Sequence, residues 1–407
     1  MTTAATHIDQ WDRIDRATAH LDGPVVALDR AAFEANLVDL RRRAGGMPIR
    51  VASKSLRVRS VIDDILARDG FAGVLAYDID EAIWLATRSG VTDVLMGYPT
   101  ARRASIAALA ADEVAASRVT LLVDSTDHLD LIDAAAPVRA HPIRVAIDLD
   151  ASLDAPLVGH IGVHRSPVHS VDDAVALARA IVARPGVTLV GVMSYEAQIA
   201  GVGDAAPGGL GSGAPLRNRL IRTMQTASMA ELRRRRGAAV AAIGELCDLE
   251  FVNAGGTGSL EVTAADPSVT DIAAGSGFFG GHLFDTYSHF RPAPALGFGL
   301  QVVRRPRQDM VTCHGGGWIA SGPPAPDRLP LPVWPPGLAY IDREAAGEVQ
   351  TPLCGDAADA LAIGDRVWFR HTKSGEPAEH CAAIVIVDDD EVVDTVPTYR
   401  GEGKCFL

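Results

Sequence analysis

The feature that most limits what this chain can fold into is an alternation that begins near Gly23 and continues past residue 250. Short apolar runs at 24–28, 49–53, 71–77, 91–97, 119–123, 143–149, 187–194 and 250–253 are separated by segments of helical character. Helices are expected at 30–43, 59–68, 80–89, 101–110, 127–135, 171–183 and 216–245, the first with Asp29 placed to cap it. Continuous apolar runs suit strands covered on both faces, as in a parallel sheet joined by right-handed helical crossovers. Eight such runs fit an α/β fold, the (β/α)8 TIM barrel, whose usual length is about 250 residues. A doubly wound sheet is the rival, but the first strand–helix turn carries no GxGxxG fingerprint.

After about Pro292 the pattern changes. Runs at 299–304, 311–314, 367–370 and 382–387 are β-like, with Pro and Gly clusters between them and no helix of comparable length. The expected organisation is a barrel over 23–291 and a smaller β domain made from 1–22 and 292–407. The Pro-rich stretch 321–336 is expected to be a connecting loop. The Gly/Ala/Pro-rich stretch 201–215 is expected to be a surface loop placed to act as a lid. The arginine run at 233–236 suits a solvated helix face.

Composition narrows the function. At 407 residues with net charge −13, the chain is a poor partner for nucleic acid. No apolar run has the length of a membrane span, and residues 1–22 lack an apolar signal region, so a cytoplasmic location is expected. The five cysteines are scattered and form neither a disulfide framework nor a CxxC knuckle.

Positive charge is carried almost wholly by arginine: Lys54, Lys373 and Lys404 are the only lysines. Lys54 falls where the strand at 49–53 should end, and a lysine near the core must be paired, or neutral and nucleophilic. In a barrel, functional groups gather at the C-terminal ends of strands. Those ends hold Lys54, Tyr77, Asp78, Asp148, Asp150, Tyr195, Glu196 and Gln198. Two glycine-rich loops follow the last strands, at 253–259 and 274–277, and can turn several backbone N–H groups toward one anion. A phosphate cradle and a strand-borne amine across one barrel mouth suit pyridoxal 5′-phosphate.

On these stretches the chain resembles fold-type III pyridoxal-phosphate enzymes, in particular the D-threonine aldolase and D-serine dehydratase branch, with alanine racemases as more distant relatives. The matching residues are 50–54 (RVASK), 148–150 (DLD), 160–163 (HIGV), 193–195 (MSY), 255–257 (GGT) and 275–277 (GSG). The tail 397–403 (PTYRGEG) is similar to that of a bacterial subgroup labelled amino-acid deaminase or aldolase. The resemblance implies that Lys54 is the Schiff-base lysine, that Gly255, Gly256, Thr257, Gly275, Ser276 and Gly277 hold the cofactor phosphate, and that Tyr195 lies beside the pyridine ring. Relatives carry an arginine where this chain has His160; either Arg165 takes over its contact with the phenolic oxygen or the ring electronics differ.

The branch also carries a metal motif in its β domain, and here the chain departs from it. The corresponding run is Glu379-His380-Cys381. Neighbours on a regular strand point to opposite faces, so His380 and Cys381 share an ion only if the chain bends, unless Glu379 and Cys381 pair on one face. The alternatives are a divalent ion (manganese, zinc or magnesium) held by this run, or plain strand and turn residues.

The implied activity is a pyridoxal-phosphate-dependent lyase acting on a small β-hydroxy amino acid of D configuration, by retro-aldol cleavage or by dehydration and deamination. His380, His371 and His314 are the candidate bases. A racemase or epimerase is the alternative, with Tyr340, Tyr399 or Tyr287 as its second base. A non-catalytic pyridoxal-phosphate carrier and a cofactor-free, metal-dependent barrel hydrolase stand behind these. Partners are a small amino acid and its aldehyde or oxoacid product, and a homodimer is typical of the family.

Overall fold

The computed structural model describes residues 3–155, 159–206, 213–323 and 325–407, of which 3–7 are described as backbone only. Eight parallel strands close into a barrel: Ile49–Ala52, Phe71–Ala76, Val94–Met96, Val119–Val123, Ile143–Asp148, Val187–Ser194, Phe251–Ala254 and Asp271–Ala274. The last pairs back on the first, with Ile272 opposite Ile49 and Ala274 opposite Val51. These are short, β-branched segments; every residue of Val119–Val123, Phe251–Ala254 and Asp271–Ala274 is buried.

Between the strands run amphipathic helices with conventional starts. Asp29 accepts from Ala32 N–H to cap Arg30–Arg43, whose last turn carries Arg41, Arg42 and Arg43 against the negative end of the helix dipole. Ser170 and Asp173 form a reciprocal capping box on Val171–Val182. The helix Ala214–Gly244 lies between the strands Val187–Ser194 and Phe251–Ala254 in the chain, in the order expected of the crossover, and packs on the helix Val171–Val182.

The expected strand count of eight holds, but its membership does not. Val25–Asp29 is outside the barrel: it pairs antiparallel with Leu296–Arg307 and parallel with Ala383–Asp388, inside a nine-stranded sheet. Its all-buried run needed cover on both faces, and a second sheet supplies that as well as a barrel does. The barrel's eighth strand is Asp271–Ala274, so Lys54 follows the first barrel strand in chain order.

The nine-stranded sheet is the C-terminal β domain, and the runs expected at 299–304, 311–314, 367–370 and 382–387 fall in its strands Leu296–Arg307, Met310–His314, Arg366–Arg370 and Ala383–Asp388. The N-terminal helix Thr3–Ala17 packs on it: Trp11 stacks on Trp368 at 5.9 Å, and Arg366 Nε donates to Asp15 at 2.9 Å. The stretch 321–336 is not loop throughout, since Leu331–Trp334 is a strand paired with Arg366–Arg370. The expected lid at 201–215 lies outside the described residues over 207–212. Among the described residues no helix is long and apolar enough to cross a membrane.

Candidate active site

The C-terminal ends of the barrel strands and two β-domain segments enclose a cavity of about 510 Å³. Lys54, Arg165, Tyr195, Gly255, Gly256, Thr257, Gly275 and Ser276 all line it. The sequence rule about strand ends therefore assembles one site from residues more than two hundred positions apart.

Lys54 lies in the 3-10 turn Ser53–Ser55 that leaves the strand Ile49–Ala52. Arg57 Nε donates to the Lys54 carbonyl at 3.0 Å, from a residue held at φ +55°, and Ser53 Oγ donates to Leu75 O at 3.2 Å. Under the turn, fully buried Glu81 accepts from Tyr77 N–H at 2.9 Å and from Tyr399 Oη at 2.8 Å, so the C-terminal tail is tied to the lysine's support. Burial drives the Glu81 carboxyl up to about 7, against the hydrogen bonds that favour its anion. The amine itself is not desolvated as expected: Lys54 is exposed into the cavity, where Nζ donates to Tyr98 Oη at 2.8 Å.

Tyr98 was not singled out from the sequence. It follows the strand Val94–Met96 by two residues, and the same strand-end rule, applied one residue further along, finds it. Burial alone would raise its hydroxyl; the charges of Lys54, Arg165 and Lys373 and the Lys54 hydrogen bond overcome that and hold it below the ordinary tyrosine range. The Arg165 guanidinium sits over both the Tyr98 ring, at 5.5 Å, and the Tyr195 ring, at 5.3 Å. For Tyr195, burial outweighs the opposing charge of Arg165 and pushes its hydroxyl up to about 12.

The glycine loops form a tight cradle. A Cβ on Gly256 would lie 3.0 Å from the Tyr195 ring, one on Gly275 would lie 2.7 Å from Ser55 Oγ, and one on Gly255, at φ +79°, would lie 2.7 Å from Ile272. Gly277 does not line the cavity; its N–H donates to Thr257 Oγ1 at 3.1 Å and ties the two loops together. Ser55 and Ser276 hydroxyls meet at 3.2 Å. Behind the first loop, buried Glu196 accepts from Gly255 N–H at 3.2 Å, from Ser259 Oγ at 3.0 Å and from Thr263 Oγ1. Arg236 stands 3.7 Å from Glu196 and pairs with Asp266 at 2.7 Å. The arginine run at 233–236 is thus not wholly a solvated face: Arg236 is fully buried.

Several expected site residues lie elsewhere. His160 does not line the cavity; it meets Asp154 at 3.0 Å and stacks on His164 at 4.2 Å, while Arg165 reaches the site. Glu379, His380 and Cys381 do not converge on an ion. A 3-10 turn over Pro377–Glu379 replaces the strand register, and the three side chains take separate partners. Glu379 is held by Arg57 at 2.6 Å and Arg400 at 2.5 Å, His380 stacks on Trp318 at 5.1 Å, and Cys381 Sγ donates to Pro377 O at 3.3 Å. Burial pushes the Cys381 thiol up to about 12, which opposes the thiolate a metal needs. Among the described residues no group of three or more His, Cys, Asp or Glu is arranged to hold a metal.

Of the other candidate bases, His314 does not line the cavity and His371 is buried behind it. Burial drives His371 down to about 3; neutral, it donates through Nδ1 to Leu296 O at 3.0 Å and keeps Nε2 2.8 Å from Ser374 Oγ, which lies 3.1 Å from Ser276 O. Its place is behind the cradle, supporting it. Tyr287 lines the cavity with its hydroxyl on Ala200 O at 2.9 Å, whereas Tyr340 and Tyr399 are turned to Pro330 O and Glu81.

Comparison with known proteins agrees with this architecture. Residues 28–248 match the family model of the alanine racemase N-terminal domain. The chain is 26% identical to a D-threonine aldolase from an Arthrobacter species over 355 residues, 85% of this chain and 84% of that one. Among solved structures, D-threonine aldolase from Filomicrobium marinum superposes with a TM-score of 0.76 at 20% identity, covering 94% of this chain and 96% of that one. D-threo-3-hydroxyaspartate dehydratase from a Delftia species gives 0.71 at 18% identity, covering 93% and 97%.

Proposed function

Since the chain belongs to the alanine racemase N-terminal domain family, we propose that it is a pyridoxal-phosphate-dependent lyase acting on a small β-hydroxy amino acid of D configuration. The observation that carries this reading is the placement of one lysine amine, Lys54, in the same cavity as a cradle of glycines too tight to accept a Cβ.

The residues fit the cofactor. Lys54 would hold it covalently, the N–H groups of Thr257, Gly275 and Ser276 and the hydroxyls of Thr257 and Ser276 would hold its phosphate, with Gly255 N–H on Glu196 and Gly256 N–H on Ser259 Oγ shaping the loop, and Arg165 with Tyr195 would flank its ring. When bound, the cofactor supplies an electron sink for charge released at the substrate's Cα. The protein does the remaining work. Glu196 and Arg236 keep the cradle's first loop in place, and the Arg57 and Glu81 contacts fix the turn on which the amine is carried. Tyr98 Oη, 2.8 Å from Lys54 Nζ and held below the ordinary tyrosine range, is the group placed to accept a proton at the reacting side and return it. That role passes from the histidines to Tyr98 because the histidines named from sequence do not line the cavity.

The relatives' names supply the substrate class: one cleaves and the other dehydrates a β-hydroxy D-amino acid. The experiment is to supply purified protein with pyridoxal phosphate, present D- and L-β-hydroxy amino acids, and assay aldehyde, oxoacid and ammonia. Aldehyde, or oxoacid with ammonia, from the D series supports the lyase. Inversion at Cα with none of these products would replace it with a racemase.

A further inference from the structure

The charges that line the cavity are one-sided. Five cations reach it, Lys54, Arg57, Arg165, Arg328 and Lys373, against one carboxylate, Glu376, in a chain of net charge −13. Glu379 neutralises Arg57 at 2.6 Å, and the proposed cofactor would engage Lys54 and Arg165. Lys373 and Arg328, both from the β domain, are left without a purpose in that account.

Neither has an ion-pair partner at hydrogen-bonding distance among the described residues. Lys373 Nζ donates to Ser321 O at 2.6 Å and lies 3.2 Å from Ser321 Oγ, both neutral oxygens. Glu376, the acid nearest in sequence, spends an oxygen on Ser321 N–H at 2.8 Å. The Nε of Arg328 is buried with no hydrogen-bond partner, and its nearest carboxylate, Asp327, is 3.8 Å away. The two cations also feel one another: burial first, then the charges of Arg328 and Lys54, outweigh the opposing charge of Glu376 and lower the Lys373 ammonium below its ordinary value. Holding these two like charges together, one of them with an unmet Nε, costs stability, and an anion bound between them restores it.

We propose that Lys373 and Arg328 form a carboxylate anchor for the substrate, separate from the glycine cradle that takes phosphate. The anchor rests on the lyase reading for the identity of its ligand, an amino acid. A guanidinium and an ammonium give a carboxylate charge-assisted hydrogen bonds on both oxygens. Lys54 and Lys373 line the same cavity, so a substrate anchored here is held in the cavity that carries the Lys54 amine.

The test uses the cofactor-loaded protein and two kinds of measurement. Calorimetry with propionate and succinate measures the anchor alone; steady-state kinetics with an uncharged and an acidic β-hydroxy amino acid measure it at work. Lys373→Gln and Arg328→Gln are expected to weaken carboxylate binding by about tenfold or more and to raise KM similarly with kcat within about twofold. Lys373→Arg is expected to retain most of the binding, and pyridoxal-phosphate affinity should stay within about twofold in all three variants. A KM rise for both substrates assigns the anchor to the α-carboxylate, and a rise for the acidic one alone assigns it to the side chain. Unchanged carboxylate binding in both Gln variants, or a parallel loss of cofactor, would overturn the anchor. A wild-type protein that neither cleaves nor dehydrates any β-hydroxy amino acid would overturn the lyase reading, and calorimetry would still decide the anchor.

Discussion

Gly375 of the β domain lies so close to the Lys54 carbonyl that a Cβ added to it would sit 2.0 Å from that oxygen. The β domain is thus packed directly against the turn that presents the amine. A Gly375→Ala substitution must push the two apart. We expect it to cost about 1–3 kcal/mol in unfolding free energy and to lower cofactor occupancy, as measured by denaturation and by visible absorbance. Unchanged occupancy would show that the lysine turn holds its place without the β domain.

Glu196 is the second support. Its buried carboxylate satisfies Gly255 N–H and two hydroxyls while Arg236 stands behind it. Glu196→Gln keeps the shape but removes the charge and turns two acceptor sites into donors. The expected loss is about 1–3 kcal/mol of stability, together with a fall of about tenfold or more in pyridoxal-phosphate affinity. The latter is measured by equilibrium dialysis.

Tyr98 should govern the alkaline side of the pH profile. As a proton acceptor it must be ionised, so kcat/KM is expected to rise with pH through its titration. Tyr98→Phe should remove that rise and lower kcat by about a hundredfold or more. A variant retaining both the limb and the rate would return the proton transfer to another group.

Glu81 makes a prediction about stability. Its carboxyl is raised by burial from 4.5 in the ordinary state to about 7 in the fold. Between those values the native state keeps a proton that the unfolded chain has released, so this group's contribution falls as pH rises through the window. Glu81→Gln removes the titration, and denaturation midpoints across pH 4.5 to 7 should fall less steeply, or rise more, than in the wild type.

Much of this site is legible in the sequence because a barrel converts strand ends into neighbours. Once the strands ending near Lys54 and Tyr195, and the loops at 255–257 and 275–276, are placed, they share a mouth. What escaped has specific causes. The run Val25–Asp29 looks like a barrel strand because a sheet with both faces covered imposes the same composition. The strand Asp271–Ala274 is four residues long beside a glycine loop, too short to show a period. Strand alternation was the wrong frame for Glu379-His380-Cys381, since a single 3-10 turn sends neighbouring side chains to Arg57, Trp318 and a carbonyl. Arg328 and Lys373 come from β-domain loops, whose approach to the barrel mouth depends on inter-domain packing that no local pattern encodes.

The most direct test of the whole account follows from the scarcity of lysine. The protein loaded with pyridoxal phosphate is reduced with borohydride, digested, and the modified peptide identified by mass spectrometry. With lysines at positions 54, 373 and 404 alone, the result is unambiguous. The account predicts the adduct on Lys54, and loss of both the adduct and the visible band in Lys54→Ala. An adduct on Lys373 or Lys404, or none with wild-type protein, would contradict it.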